Sequence, residues 1–268
     1  MPFPAPLAAF ANLSAYKFTP LDGLPDLRAR LRTAALAAGL KGTVLLSAEG
    51  INLFVAGVPA SAQAFLAVVR TIPGLEDISA KQSLSATQPF GRMLVKIKAE
   101  IIAFGVAGID PARHPARKLA PGTLKAWLDA GKAITLLDTR NDYEVARGTF
   151  RGAVPAGIKR FRDFPAAVAR LDPGLKQQPV VMFCTGGIRC EKAGPYLERA
   201  GWDVWQLDGG ILRYFEECGA AHFDGECFVF DERAGVDGEL RAVATAAQKA
   251  GPPADPERRQ TPGQQADH

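Results

Sequence analysis

The sequence predicts a two-domain α/β protein, in which a β-α-β-β-α-β unit is followed by a parallel-sheet unit. Three observations carry this. Before residue 100, short apolar runs and helical periodicities arrive in the order of a split βαβ arrangement. After residue 120, buried-type strands alternate with helices, the pattern of a parallel sheet covered on both faces. Between them, Gly105 to Pro121 gathers prolines, glycines and basic residues, as a linker does. A length of 268 residues with 47% hydrophobic and 22% charged residues suits two ordinary domains with real cores.

In the first unit, Ser14 to Phe18 reads as a strand. From Asp26, the residues Leu27, Leu31, Ala34, Ala35 and Ala38 recur at helical spacing, and Gly39 suits the C-terminal cap. Thr43 to Ser47 and Ile51 to Val58 flank Ala48-Glu49-Gly50 as a hairpin. Ala64, Phe65, Val68, Val69 and Ile72 mark a second helix that Pro73-Gly74 stops, and a fourth strand falls within Asp77 to Leu84. This is the ferredoxin-like order, which by itself selects no function. Met93, Val95 and Ile97 alternate with Leu94, Lys96 and Lys98 as an additional strand.

In the second unit, Thr123 is the expected N-cap of a helix carrying Leu124, Trp127 and Leu128. Ala133 to Arg140 reads as a buried strand ending in charge, Asn141 to Glu144 as a short helix, and Gly148 to Ala153 as a loop. Phe161 to Leu171 reads as helical, Val180 to Phe183 as a strand, Glu191 to Ala200 as a helix and Trp202 to Leu207 as a strand. Asp208-Gly209-Gly210 then precedes a last helix through Cys218.

The chemistry concentrates in Cys184-Thr185-Gly186-Gly187-Ile188-Arg189-Cys190. A strand, a loop with two glycines and a helix start point successive N–H groups inward, and the helix dipole adds about half a positive charge. An ordinary thiol, with a pKa of about 8.5, is only roughly 3% ionised at pH 7. Helix N-termini and basic neighbours lower that pKa to about 3.5–7.5. Cys184 is therefore the candidate nucleophile, and Arg189 the candidate stabiliser of anions at the loop. Cys190 reads either as a packed thiol or as a resolving cysteine for an oxidised Cys184. Ligands of parallel sheets lie at strand carboxyl ends, which places Asp138 and Arg140 beside the loop as an ion pair and as site residues.

Composition narrows the rest. Four cysteines without disulfide-like spacing fit a reducing compartment, no run is long enough for a membrane span, and residues 1–10 carry no positive charge. The expectation is a cytoplasmic protein with no membrane or protein partner. His114, His222 and His268 are scattered, the cysteines lack CxxC spacing, and Gly209-Gly210 is no dinucleotide fingerprint, so no metal or organic cofactor is expected. Net charge is only +4, but basic clusters at Arg92, Lys96 and Lys98, at Arg113, Arg117 and Lys118, and at Arg151, Lys159, Arg160 and Arg162 favour a polyanionic substrate.

The second unit resembles the rhodanese family over about residues 118–220. The resemblance rests on Leu137-Asp138-Thr139-Arg140, on Glu144 followed by Gly148-Thr149-Phe150-Arg151-Gly152-Ala153, on the Cys184-to-Arg189 loop and on Asp208-Gly209-Gly210. The string Cys-Thr-Gly-Gly-Ile-Arg-Cys-Glu-Lys-Ala at 184–193 resembles the signature of the rhodanese-like tRNA uridine(34) hydroxylases. Residues 41–52 and 225–231 match that family outside the rhodanese unit. The resemblance implies an oxidoreductase that hydroxylates C5 of the wobble uridine to 5-hydroxyuridine, with dioxygen as co-substrate, tRNA as partner and Cys184 as catalytic cysteine. The implied division is a ferredoxin-like domain at 1–104, a linker at 105–121, a rhodanese-like catalytic domain at 122–222, a packed extension at 223–243 and a disordered tail at 244–268. That tail lacks the cysteine-rich segment of many relatives.

Two routes fit a thiolate. Cys184 adds to C6 of uracil and makes C5 reactive towards oxygen, or Cys184 is oxidised to a sulfenic acid that passes its oxygen on. A persulfide-carrying sulfurtransferase and a non-catalytic RNA-binding adaptor are the alternatives. A phosphatase of this fold needs one more loop residue before its arginine. Expected RNA contacts are Lys41, Asn52, Lys96, Lys98 and Arg160, with a basic groove between the units presenting an unpaired anticodon-loop base to Cys184.

Overall fold

The computed structural model describes residues 9–231 and 233–243; the expected disordered tail lies outside these. The first unit contains β1 (Phe10–Phe18), α1 (Leu24–Ala37), β2 (Lys41–Ser47), β3 (Gly50–Gly57), α2 (Pro59–Arg70), β4 (Ala80–Ser85) and β5 (Met93–Ile97). Its sheet runs β4-β1-β3-β2-β5, antiparallel except for the β2–β5 edge. This is the expected split βαβ order with the added fifth strand.

One face of that sheet carries Leu13, Ala15, Val44, Leu46, Leu53 and Val55. They bury against Leu31 and Ala35 of α1 and Phe65 and Val69 of α2. The alternation that buries them turns Ser14, Tyr16, Phe54 and Lys81 to the other face. That other face meets the second unit.

The second unit contains β6 (Lys118–Leu119), α3 (Pro121–Asp129), β7 (Thr135–Asp138), α4 (Asp142–Val145), β8 (Gly148–Phe150), β9 (Val154–Pro155), α5 (Phe164–Val168), β10 (Val180–Phe183), α6 (Ile188–Arg199), β11 (Val204–Leu207), α7 (Gly210–Cys218), β12 (Phe223–Gly225), β13 (Cys227–Phe228) and β14 (Gly235–Val236). Its main sheet is parallel throughout, in the order β6-β11-β10-β7-β9. Two cores flank it: one holds Phe104, Phe164, Met182 and Leu197, the other Phe150, Phe183, Tyr214 and Phe215.

Four expectations are corrected. The stretch 105–121 is no free linker, because Val106 and Ile109 pack on the second core and Lys118–Leu119 pairs with β11. Phe104, assigned to the first domain, is buried in that same core between Phe161, Phe164 and Tyr196. Helix α3 starts after Ala120 with Pro121 at its first position, so Thr123 lies inside it rather than capping it. The loop at 148–153 begins as β8, which pairs antiparallel with β12 and so draws the 223–243 extension onto the domain.

Candidate active site

Strand β10 sits between β7 and β11, so its carboxyl end opens at the middle of the sheet edge. Cys184 follows directly, and Gly187, at φ 102°, turns the chain into α6. Helix α6 therefore begins at Ile188, earlier than the expected Glu191, and Arg189 belongs to its first turn. The Gly187 N–H donates to the Cys184 sulfur at 3.1 Å.

Burial alone would push the Cys184 thiol up. The Cys190 thiol hydrogen bond, the Arg189 guanidinium and the N–H groups of Arg189 and Gly187 outweigh it, and pull Cys184 from 9.0 down to about 6. Burial and its bond to Cys184 drive the Cys190 thiol the opposite way. The pair therefore splits into one thiolate and one thiol. Cys190 also lies 3.6 Å from Thr139 Oγ1.

The loop's outward carbonyls are held as well. The Ile211 and Leu212 N–H groups at the start of α7 donate to Cys184 O and Thr185 O, each at 3.0 Å. A Cβ on Gly210 would lie 2.4 Å from Cys184 O. The Asp208-Gly209-Gly210 sequence thus lets the N-terminus of α7 come within hydrogen-bonding reach of the loop.

Arg189 is buried, with Nη2 2.8 Å from Glu144 Oε2. Its Nη1 has no hydrogen-bond partner among the described residues, and its guanidinium lies 5.6 Å from the Phe230 ring centre. Asp138 and Arg140 pair with each other beneath the loop at 2.6 Å; Arg140 also donates to Gly148 O, and Thr149 to Asp138. Their contacts brace the β7–β8 connection.

The first unit supplies the roof. Lys81 Nζ donates to Gly186 O at 2.9 Å. Tyr16 donates to Glu191 Oε1 at 3.1 Å, and Gln206 donates to the same oxygen at 3.2 Å. Burial first, and then the charges of Glu191 and Cys184, hold the Tyr16 phenol well above its ordinary value, so it remains a neutral donor. Lys192 is buried between Glu49 Oε2 at 2.9 Å and Glu100 Oε1 at 2.7 Å. Cys184 is left only 2% exposed. Among the described residues, no cluster of three or more histidine, cysteine and carboxylate side chains is placed to hold a metal ion.

Residues 10–101 match the family described as the UPF0176 acylphosphatase like domain, and residues 120–217 match the Rhodanese-like domain. A tRNA uridine(34) hydroxylase of Bordetella petrii is 50% identical over 250 residues, covering 91% of this chain and 99% of that protein. Proteins of the same name from Cupriavidus taiwanensis and Variovorax paradoxus are 46% and 48% identical, covering 90% and 88% of this chain and 92% of each relative. The chain belongs to the tRNA uridine(34) hydroxylase family.

For a member of that family, the site is a product of both domains. The sequence nominates Cys184, the loop residues Thr185, Gly186, Gly187 and Ile188, and Arg189 and Cys190, and the fold gathers them around one sulfur. Lys41, Lys96 and Lys98 are exposed on the first unit, and Arg160 is exposed on the second, 3.6 Å from Asp163. Asn52 differs from its expected role. It is buried, and its amide donates to Ile101 O at 3.2 Å, tying β3 to the chain after β5 rather than facing RNA. Tyr16 and Lys81 were not legible as site residues: no local motif marks them, and only the pairing of β1 with β4 turns both towards the loop.

Proposed function

We propose that the protein hydroxylates C5 of uridine 34 in tRNA, with Cys184 as nucleophile and dioxygen as oxidant. One observation carries the reading: Cys184, lowered to about 6, lies in a loop enclosed by the two domains that the hydroxylase relatives share. The thiolate adds to C6 of the uracil ring, and the displaced electron pair leaves C5 as an enolate carbon. C5 takes up dioxygen; one oxygen stays as the hydroxyl, and the other leaves as water with two protons from solvent and two electrons from an external small-molecule thiol, which is oxidised to its disulfide. Loss of the C5 proton then expels the Cys184 thiolate and restores the ring double bond. The same thiolate loop suits a persulfide, so sulfur transfer from thiosulfate to cyanide is the counter-assay.

The anticodon loop docks at the β2–β5 edge of the sheet face that meets the second unit, where Lys41 and Lys96 stay exposed. Lys96, Leu45, Asn52 and Tyr16 form one cross-strand row, which relates the exposed Lys96 to the roof of the cup. Lys41 shares that face, and Lys98 lies one step beyond Lys96. Phosphates on these lysines position the stem while one unpaired base turns inward. This chemistry belongs in the cytoplasm, where tRNA is found.

The test is mass analysis of wobble nucleosides from tRNA incubated with the protein in air and under nitrogen. Wild type in air yields 5-hydroxyuridine; Cys184→Ala, or nitrogen, yields none. Product from Cys184→Ala, or cyanide-dependent thiocyanate formation without 5-hydroxyuridine, overturns the reading. Reversing charge at Lys41, Lys96 and Lys98 weakens tRNA binding and lowers the slope of log affinity against log salt by about one per lost phosphate contact. An unchanged slope removes these lysines from the interface.

A further inference from the structure

Glu144 lies in α4, outside the cysteine loop, yet its fully buried carboxylate is joined to that loop at both ends. Oε2 pairs with Arg189 Nη2 at 2.8 Å, and Oε1 accepts the Thr185 hydroxyl at 3.4 Å. We propose that Glu144 is a positioning residue of the reaction: it fixes the Arg189 guanidinium and takes up part of its charge, so that the Cys184 thiolate is stabilised and still reactive. The proposal rests on the reading of Cys184 as the nucleophile and adds to it the residue that sets how reactive the sulfur is.

Local structure explains only part of what Glu144 does. Helix α4 is a single turn, Asp142–Val145, with Asn141 as its N-cap and Glu144 as its third residue. The Asn141 N–H donates to Glu144 Oε2 at 3.1 Å. Glutamate and glutamine both make that capping bond from the third position, so the helix itself does not ask for a charge. Arg189 does. It is only 5% exposed, and a buried guanidinium needs an anion beside it.

Arg189 faces two anions, the Glu144 carboxylate and the Cys184 thiolate. Burial opposes its charge, and Glu144 and then Cys184 restore it, so the two anions divide one cation. With Nη2 on Glu144, Nη1 has no hydrogen-bond partner among the described residues and is the donor left for negative charge that builds up at the loop. If the whole cation fell to the sulfur, the thiolate would form at lower pH but attack more slowly. A Brønsted slope of about 0.4–0.5 makes that loss about threefold for each unit of pKa. The other groups facing the pair are already engaged. Arg140 is bound by both oxygens of Asp138, and burial first among its causes pushes Cys227 of β13 up to about 12, so it stays neutral. Tyr143, in the same turn as Glu144, also faces Arg189. Around Cys184, Cys190 donates to the sulfur, Tyr16 is a neutral donor to Glu191, Lys118 also pairs with Glu191, and Lys81 is bonded to Gly186 O.

Glu144→Gln keeps the capping acceptor and the shape of the side chain and removes the charge. In the full chain, the Cys184 thiolate is titrated by its ultraviolet absorbance, with Cys184→Ala in the same background as the blank. Formation of 5-hydroxyuridine is timed at about pH 8, where the thiolate is formed in both proteins. Glu144→Gln is expected to move the midpoint below about 6 and to lower kcat about threefold for each unit lost, with KM unchanged. A merely structural Glu144 gives the opposite sign, because a loosened loop releases its N–H groups and lets the midpoint climb towards 9.0. The pair variant Glu144→Gln with Arg189→Gln buries no unpaired charge and supplies a second reading: its midpoint rises above that of wild type. A midpoint that stays or climbs in Glu144→Gln, a fallen midpoint with unchanged kcat, or a pair-variant midpoint still near 6 overturns the role of Glu144 and leaves the reaction standing. A midpoint that falls in Glu144→Gln while wild type forms no 5-hydroxyuridine overturns the reaction and leaves the control of the thiolate by Glu144 standing.

Discussion

At the scale of the residue, the Cys184–Cys190 pair decides reactivity. Cys184 is lowered to about 6 against the opposing effect of its own burial, and the Cys190 thiol is the first group that favours its ionised form. Titrating the thiolate by its ultraviolet absorbance, with Cys184→Ala as the blank, gives a midpoint near 6. Cys190→Ala removes the donor and moves that midpoint up; Cys190→Ser, which keeps a hydroxyl donor, moves it less. An unmoved midpoint in Cys190→Ala assigns the lowering to Arg189 and the loop N–H groups alone. The same shift has a stability consequence. The folded value lies below the ordinary thiol value, so folding gains stability as pH rises from about 6 towards 9 and loses that gain on acidification through about 6. Cys184→Ser flattens this part of the stability curve.

At the scale of the element, two glycines at the start of α7 separate geometry from stability. Gly209 and Gly210 both hold left-handed backbone, at φ 73° and 65°. A side chain strains each by about 1–3 kcal/mol. A Cβ at Gly209 runs into the Arg213 side chain, whose own Cβ would lie at 2.5 Å, and so strains α7 itself, whereas one at Gly210 runs into the backbone of Cys184, Thr185 and Gly187. Gly209→Ala and Gly210→Ala are therefore expected to lose similar Tm, but only Gly210→Ala displaces the loop and lowers kcat at least tenfold. Equal kcat losses in both would show that α7 does not position the cup. The strand–loop–helix order around Cys184 was legible because its signals are local: an apolar run, two glycines, an arginine five residues on. The Asp138–Arg140 pair was legible for the same reason. The linker was misread because proline and glycine content reports backbone propensity, while the packing of Val106 and Ile109 depends on a core built from residues far along the chain.

At the scale of the whole molecule, the first unit completes the site over long sequence separations: 105 residues between Lys81 and Gly186, and 175 between Tyr16 and Glu191. A register of β1 or β4 shifted by one residue would turn these side chains into the opposite core, so the site depends on strand pairing that no local pattern reveals. What holds the units in that relation is Lys192 of α6, whose ammonium is shared by Glu49 in the β2–β3 turn and Glu100 after β5. Glu49 also accepts the Ile101 N–H, and Glu100 accepts the Phe104 N–H, so one cation gathers the hairpin turn, the crossing segment and the active-site helix. Removing a buried charge partner costs about 3–5 kcal/mol, and the value here falls at the low end because each carboxylate keeps a quarter of its side chain exposed. Lys192→Met is accordingly expected to separate one calorimetric unfolding transition into two. It also raises hydrogen exchange across Gly186–Arg189 and in β1 and β4, while β7 and β10 stay protected. Activity falls because Tyr16 and Lys81 leave the loop, and adding Glu49→Gln and Glu100→Gln restores part of the stability without restoring the activity. A single transition at the wild-type Tm, with unchanged exchange over the loop, would show that the apolar contacts of Phe104 and Phe54 suffice to dock the two units, and that the Lys192 cluster only satisfies charges already buried there.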